Sequence, residues 1–206
     1  MVPRSAQLSP SLTLLPDTCN VYVIRDGDRS LLVDIGSGDA LDQANELGIP
    51  SPDTVLVTHH HRDQVQGLPR AVEHGIAAWV PPVERDLIAD ADHHWQGRGI
   101  DNSYNTREDR FSLLHSVPIA GCVTEYRPMR FGGIEVLPLP TPGHTVGSVS
   151  YLAEIDGRRV AFTGDLLYGP GKVWSLAATQ WSYTAHEGPA MTVLSCIRPQ
   201  IGRAHV

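Results

Sequence analysis

Short apolar runs bounded by turn residues recur along the chain, and most of them have the length of a β-strand. Asp26-Gly27 and Asp156-Gly157 each separate two neighbouring runs, and an Asp-Gly step strongly favours a tight hairpin turn. The sequence therefore predicts antiparallel hairpins in both halves of the chain. The predicted strands cover 21–24, 30–34, 54–58, 77–80, 134–138, 148–152 and 159–163.

Several predicted strands are followed by segments with helical signals. Asp39 is a good N-cap residue for a helix through Leu47, and apolar residues recur at helical spacing over 65–74. Two further helices are predicted over 82–92 and 185–196. Strands followed by helices, with hairpins in both halves, favour two packed sheets covered by helices.

Length and composition fit one globular domain over 1–206. The chain has 206 residues, of which 41% are hydrophobic, and this is enough for one sizeable core. A formal net charge of -7 without a run of basic residues makes nucleic acid a poor partner. The opening residues lack the apolar stretch of a signal peptide or membrane anchor. We therefore expect a cytoplasmic protein with a small-molecule substrate and no membrane partner, whose oligomeric state the sequence leaves open.

The cysteines argue against a disulfide framework, whereas the histidines suggest a metal site. Cys19, Cys122 and Cys196 are odd in number and widely separated, so we expect reduced thiols rather than a disulfide framework. Ten histidines are many for a chain of this length, and they direct attention to a metal site.

A histidine run follows the predicted strand 54–58 directly. His59 and His61 are two residues apart, so in extended backbone both rings project to the same side and can bind one ion. Asp63 adds a carboxylate on the same turn. The pair alone is weak evidence, because histidines are common in cores and on surfaces.

Two more potential ligands follow later strands. His144 lies in a tight Pro-Gly turn after the strand that ends near Leu139, and Asp165 follows the strand 159–163. Three imidazoles and two carboxylates, all at the ends of strands, are what one or two divalent ions require.

The order of these motifs resembles the metallo-β-lactamase superfamily, whose signature is a His-x-His-x-Asp-His run, a later Gly-His-Thr and a Gly-Asp at the end of a strand. The match extends from the strand at 20–23, through Asp34-x-Gly36, to Gly164-Asp165. The resemblance implies an α+β fold, an αββα sandwich of two packed mixed β-sheets flanked by helices. It also implies that His59, His61 and His144 hold a first metal, and that Asp63 with the bridging Asp165 serves a second.

Asp34 and His60 also fall within the matching motifs. We expect Asp34 to support the site by hydrogen bonding rather than to bind metal. His60 lies between the two ligands and should point away from them, either into solvent or toward groups that support the site.

Gln64 departs from the pattern, because the family has histidine there as a ligand of the second metal. A glutamine offers a neutral amide oxygen, which is a weaker donor than imidazole toward zinc but acceptable to harder ions. We therefore expect Zn²⁺ as one or two ions, with iron or manganese as alternatives, and a second ion that is weakly bound, different or absent.

The family's last ligand would fall near the C-terminus, where this chain has His205. Residues 201–206 read Ile-Gly-Arg-Ala-His-Val, which is the translation of a common sequencing-adapter read. We therefore expect 201–206 to be non-native and this chain to be truncated, so that it follows the natural protein only to about Gln200. His205 is accordingly excluded from the predicted site. Genomic sequence that reads through without the adapter would contradict this hypothesis.

Metal-bound hydroxide that attacks an ester, thioester or lactone-type carbonyl is the expected chemistry, with Asp63 as the catalytic residue that orients the water. One alternative is a mononuclear iron oxygenase or redox protein of the same fold. Another is a degenerate metal-binding module without turnover, motivated by Gln64 and the doubtful C-terminus. Candidates for lining the pocket, each more often a packing residue than a contact, are His93, His94, Trp95, Tyr104, Asn105, Tyr168, Trp174, Trp181 and Tyr183.

Overall fold

Two β-sheets form the centre of the fold, and the computed structural model describes residues 5–96, 111–169, 172–173 and 187–196. The first sheet has seven strands that lie in sequence order. Its first four strands pair antiparallel, and the last four pair parallel, so the sheet is mixed. The strands are β1 (Ala6–Ser9), β2 (Leu12–Pro16), β3 (Asn20–Asp26), β4 (Arg29–Val33), β5 (Pro52–Leu56), β6 (Ala77–Val80) and β7 (Gly121–Cys122).

The second sheet is antiparallel and has four strands in the order β11-β10-β9-β8. These strands are β8 (Met129–Phe131), β9 (Ile134–Pro140), β10 (Val149–Ile155) and β11 (Arg158–Phe162). A small hairpin of β12 (Leu167–Gly169) and β13 (Lys172–Val173) follows. The predicted hairpin turns at Gly27 and Gly157 are both present, and both glycines have positive φ, of 63° and 73°.

Helices follow the parallel strands of the first sheet, as the sequence predicts. They are α1 (Asp39–Glu46), α2 (Arg62–Val65), α3 (Leu68–Glu73), α4 (Arg85–Ala89) and α5 (Ala91–Gln96), and α6 (Glu187–Cys196) lies near the C-terminus. Short 3₁₀ turns cover Pro82–Glu84 and Gly164–Leu166. Among the residues that the structure describes, no helix has both the length and the apolar character needed to cross a membrane.

The alternation of side chains along β4 separates two buried layers. Leu31 and Val33 face the second sheet and pack in one cluster with Tyr151 of β10. Leu32 faces the opposite side, where it packs with helices in another cluster. The buried helical residues of this outer cluster are Ala40, Ala44, Val65, Leu68, Ala71 and Ile88.

The far face of the second sheet is also covered. Leu139, Leu152 and Ala161 form a third cluster there, and Cys196 of α6 packs against it. Helices therefore lie on both outer faces of two packed sheets, which confirms the predicted αββα sandwich. All three cysteines are free thiols, as expected.

The predicted N-cap of α1 is wrong. Gly38, in the left-handed region at φ 100°, occupies that position, and Asp39 is the first helical residue. The carboxylate of Asp17 takes over the capping role, because it accepts hydrogen bonds from the N–H groups of Ala40 at 3.1 Å and Ser37 at 2.9 Å. A residue distant in sequence thus satisfies the start of the helix.

The helices predicted over 65–74 and 82–92 are each interrupted. The first breaks at Gly67, where a Cβ atom would lie 2.5 Å from the backbone nitrogen of Gly38, so the two backbones approach too closely for a side chain. The second begins as a 3₁₀ turn and breaks at Asp90, and α5 then continues to Gln96, beyond the predicted end at 92. Residues 201–206, with His205, lie outside the described residues. So do five of the predicted pocket-lining candidates, namely Tyr104, Asn105, Trp174, Trp181 and Tyr183.

Candidate metal centre

The histidine run lies at the carboxyl end of β5, where the two sheets meet. The carbonyl oxygen of Thr58 accepts a hydrogen bond from the N–H of Val149 in β10 at 2.9 Å. The hydroxyl of Tyr151, also in β10, donates to the carbonyl oxygen of Val57 at 2.6 Å. His61 is still extended, at φ -60° and ψ 141°, and α2 begins at the next residue. The predicted position of the run, between a strand end and a helix, is therefore confirmed.

Three imidazoles converge at this strand end. One nitrogen from each of His59, His61 and His144 lies within 4.8 Å of the other two, and all three side chains are buried. Nδ1 of His61 lies 2.8 Å from Nε2 of His144. The geometry is that of a group able to hold one metal ion.

The turn that carries His144 is supported by α6. Gly143 has φ 154°, and a Cβ atom on it would collide with the side chain and backbone of Thr192. Ser195 donates a hydrogen bond to the carbonyl oxygen of Pro142 at 2.9 Å. Helix α6 therefore packs directly on this turn, and only glycine leaves the necessary space.

The hydrogen bonds around Thr58 determine which nitrogen of His59 faces the centre. Thr58 donates its N–H and its hydroxyl to the carboxylate of Asp34, both at 2.8 Å. When Asp34 is ionised, the hydroxyl proton is used in this way, so the Thr58 oxygen accepts from Nδ1–H of His59, 3.1 Å away. Nε2 of His59 then carries the lone pair, and this buried atom has no hydrogen-bond partner among the described residues. Asp34 thus supports the site through hydrogen bonds, as the sequence predicts.

The three histidines are uncharged at neutral pH. Burial, followed by the charges of neighbouring histidines, lowers the pKa values of His59 and His61 well below the ordinary range. Burial also lowers the pKa of His144, to about 4. A neutral imidazole is the form that binds a metal ion, so the site favours the binding-competent state.

The other predicted ligands adjoin the histidines. Oδ2 of Asp165 lies 3.3 Å from Nε2 of His144. The amide nitrogen of Gln64 lies 3.2 Å from Oδ2 of Asp63 and 3.5 Å from Oδ1 of Asp165. Burial, with the charge of Asp63, raises the pKa of Asp165 to about 7. The structure therefore brings all six predicted residues into one cluster, with the Gln64 amide between the two carboxylates.

His60 and Glu84 form a buried pair, and the sequence did not predict the part that Glu84 plays in it. His60 is buried rather than solvated, and its Nδ1 contacts Oε2 of Glu84 closely. Burial raises the pKa of Glu84, but His60 and the hydrogen bonds around the carboxylate outweigh this effect, so the pKa lies below its usual value. Glu84 follows β6, the parallel neighbour of β5, and this position at the same sheet edge was the available signal.

Aromatic residues near the centre have different roles. The ring of Phe111 lies 6.0 Å from that of His61, and the carbonyl oxygen of Phe111 accepts a hydrogen bond from the N–H of Arg62. Trp95 instead donates its indole N–H to the carbonyl oxygen of Leu113. Phe111, which is partly exposed, is therefore an apolar neighbour of the centre that the sequence analysis did not select.

Sequence comparisons agree with this architecture. Hydroxyacylglutathione hydrolase of Xylella fastidiosa (strain M23) is 27% identical over 176 residues, which cover 82% of this chain and 55% of that enzyme. The protein of the same name from Brucella ovis is 28% identical over 152 residues, which cover 72% and 48% of the two chains. The chain thus spans about half the length of the curated relatives it matches.

Solved structures of metallo-β-lactamases share this fold, and a family model matches most of the chain. A subclass B3 metallo-β-lactamase of Bradyrhizobium japonicum has a TM-score of 0.66 at 21% identity, over 80% of this chain and 63% of that chain. A metallo-β-lactamase of Cronobacter sakazakii with a HARLDQ motif has a TM-score of 0.69 at 16% identity, over 92% and 74%. Residues 14–202 match the model of the metallo-β-lactamase superfamily. On this match and the shared fold, the chain belongs to the metallo-β-lactamase superfamily.

Proposed function

We propose that this protein is a metal-dependent hydrolase that acts on an ester, thioester or lactone carbonyl, with zinc held by His59, His61 and His144. The observation that carries the proposal is the convergence of three buried, neutral imidazoles on one point. Their donor atoms suit a cation. Nε2 of His59 is buried without a partner among the described residues, and the 2.8 Å contact between His61 and His144 brings two ring nitrogens together. Such a contact requires a proton or a cation between the lone pairs.

The residues around the histidines supply the other functions that hydrolysis needs. A bound zinc ion lowers the pKa of a water molecule to about 7 and polarises a carbonyl oxygen. The carboxylate of Asp63, on the exposed side of the cluster, orients the attacking water and passes its proton toward the leaving group. Asp165, whose Oδ2 lies 3.3 Å from Nε2 of His144, would accept a hydrogen bond from the same water.

A single ion is the form that the Gln64 contacts favour. Its amide nitrogen donates toward Asp63 and Asp165, so the amide lies where a second cation would need both carboxylates. A second ion at Asp63, Gln64 and Asp165 requires the amide to rotate and present its oxygen. Gln64 would then be a weak neutral ligand, which suits manganese or iron better than zinc.

A thioester or ester is the substrate class that the relatives support. Proteins named hydroxyacylglutathione hydrolase match most of this chain, although the chain spans about half of their length. The acidic composition, with a formal charge of -7, does not suit a polyanionic nucleic acid. We also propose a small-molecule substrate and a cytoplasmic location.

Metal content and turnover test the proposal together. Purified protein should contain about one zinc per chain, and it should hydrolyse at least one member of a panel of ester, thioester, lactone, β-lactam and phosphodiester substrates. His144→Ala should lose the metal and the turnover. Asp63→Ala should keep the metal but lose most of the turnover, because it removes a proton-transfer group whose contribution is on the order of 100-fold or more.

Three outcomes would contradict the proposal. One is a parent protein that binds zinc but hydrolyses nothing in the panel, and another is turnover that survives both substitutions. The third is stoichiometric iron with substrate-dependent oxygen uptake, which would assign the centre to oxidation instead. His74→Ala is the matched control, because this histidine is exposed at the end of α3, bonds to the carbonyl oxygen of Arg70 and is not a predicted site residue.

A further inference from the structure

Glu84 lies between the two segments that carry the proposed metal ligands, and each of its carboxylate oxygens serves one segment. Oε2 accepts hydrogen bonds from the N–H of His60 at 3.1 Å and from Nδ1 of the same residue. Oε1 accepts from the hydroxyl of Thr145 at 2.8 Å and from the N–H of Gly147 at 2.9 Å. An ionised carboxylate has about four acceptor positions. These two segments therefore use its full hydrogen-bonding capacity.

The hydrogen-bonded residues are immediate neighbours of the ligands in the chain. His60 separates His59 from His61, and Thr145 follows His144. The Glu84 side chain is 1% exposed, so water does not compete for these bonds. A shift of one segment relative to the other would break bonds at one of the two carboxylate oxygens.

We infer that Glu84 is a positioning residue of the metal centre, which sets the separation of the two ligand-bearing segments by binding His60 on one oxygen and Thr145 and Gly147 on the other. The inference rests on the proposed metal-dependent function. Glu84 is not one of the proposed ligands, and it acts through residues that flank the ligands in the chain, by hydrogen bonds to both their backbone and their side chains.

Packing restricts this position to a side chain of one length. A Cβ atom on Gly147 would lie 2.6 Å from Oε1 and 2.7 Å from Cγ of Glu84, so the carboxylate rests directly on the glycine backbone. Aspartate keeps the charge but is shorter by one methylene, about 1.5 Å, and cannot reach both segments. Glutamine keeps the length but turns an NH₂ donor toward donors of one segment.

Glu84→Asp therefore tests the length of the side chain, and Glu84→Gln tests its charge. Glu135→Gln, at an exposed position on β9, is the control. Metal-free protein is titrated with Co²⁺, whose visible absorption spectrum reports the ligand geometry. Both Glu84 variants should bind Co²⁺ at least about 10-fold more weakly than the parent, because supporting residues have effects of about 10- to 100-fold. Their spectra should also change, while Glu135→Gln should match the parent.

Amide hydrogen exchange in the metal-free protein tests the link without reference to metal. The amides of His60 and Gly147 should exchange faster in both Glu84 variants. Parent-like Co²⁺ affinity and spectrum in either variant would overturn the inference. If the parent itself takes up no metal, the proposed function fails, and exchange alone then decides: faster exchange at both amides upholds the link, and unchanged exchange overturns it.

A milder pair of variants covers the case in which the Glu84 variants do not fold. Thr145→Val removes only the hydroxyl that donates to Oε1, whereas Thr145→Ser keeps it. Val should weaken Co²⁺ binding several-fold relative to Ser. Equal affinity and equal spectra of these two proteins would count against the role of Glu84.

Discussion

Nδ1 of His61 lies 2.8 Å from Nε2 of His144, although 83 positions separate the two residues in the chain. One nitrogen belongs to the end of the first sheet and the other to a turn beside the second. Folding alone thus brings together two groups that a cation, or a shared proton, can stabilise.

Zinc should stabilise the folded protein through this contact. A ligand that binds only the native state at about 100 times its Kd adds about 2.7 kcal/mol to the free energy of unfolding. The thermal midpoint of the metal-free parent should therefore rise on zinc addition, and that of His144→Ala should not. Differential scanning calorimetry checks this, with the exposed His74→Ala as the control that must retain the shift. An equal shift in the His144 variant would show that zinc binds elsewhere.

Asp34→Asn should reverse the hydrogen bonds that orient His59. Asparagine tolerates the backbone of this position, at φ 59°, but its NH₂ group would donate to the Thr58 hydroxyl. That hydroxyl would then donate to Nδ1 of His59 and leave the ring proton on Nε2. Nitrogen NMR of the metal-free protein at about pH 9, above the pKa of Asp34, should detect the change of tautomer.

The same substitution should weaken zinc binding by about 10- to 100-fold, as expected for a residue that orients a ligand. Asp28→Asn, in the exposed turn before β4, should leave the tautomer and the affinity unchanged. Retention of the Nδ1–H tautomer in Asp34→Asn would contradict the hydrogen-bond assignment.

Asp34 should also make the stability of the metal-free protein depend on pH. Burial outweighs the hydrogen bonds from Thr58 and raises the pKa of Asp34 from 3.8 to about 8. Between these pH values the folded protein holds a proton that the unfolded chain releases. The free energy of unfolding should therefore fall as the pH rises from about 4 to about 8, by up to about 1.4 kcal/mol per pH unit for this group.

Urea denaturation of metal-free protein across this range measures the slope. Asp34→Asn lacks the titrating group, so its stability should change less steeply with pH than that of the parent. Identical slopes in the two proteins would mean that Asp34 does not titrate in this window.

Gln64→His should create a second zinc site. The imidazole would replace the amide that now lies between Asp63 and Asp165. An imidazole nitrogen binds zinc more strongly than an amide oxygen does. Mass spectrometry of the native protein should show about two zinc ions per chain in the variant and one in the parent. Gln66→His, on the exposed side of the same region, should remain at one. Two ions in the parent would contradict the single-ion proposal.

Local patterns predicted much of this fold because its signals are short in range. Neighbouring residues alone predict the strand that leads to His59, the Asp-Gly hairpins and the two-residue spacing of His59 and His61. The order of the motifs, which resembles that of a known family, then added His144 and Asp165 to the predicted site. The structure places these residues in one cluster with Asp63 and Gln64, and their roles as ligands stay a prediction.

The features that the sequence did not predict depend on distant partners. The break at Gly67 arises from its approach to Gly38, and the cap of α1 comes from Asp17. Glu84 reads as an ordinary charged residue near the start of a helix, and only the fold shows that its partners lie on two other segments. Periodicity cannot reveal such contacts, because it compares each residue only with its neighbours.

Tyr151 donates a hydrogen bond to the carbonyl oxygen of Val57, and Val149 donates one to that of Thr58. These bonds hold the segment before the histidine run against the second sheet without any metal ion. The backbone entropy of assembling the donors is therefore lost when the chain folds, not when the metal binds. Metal release should consequently leave a pre-organised, refillable site in a folded protein.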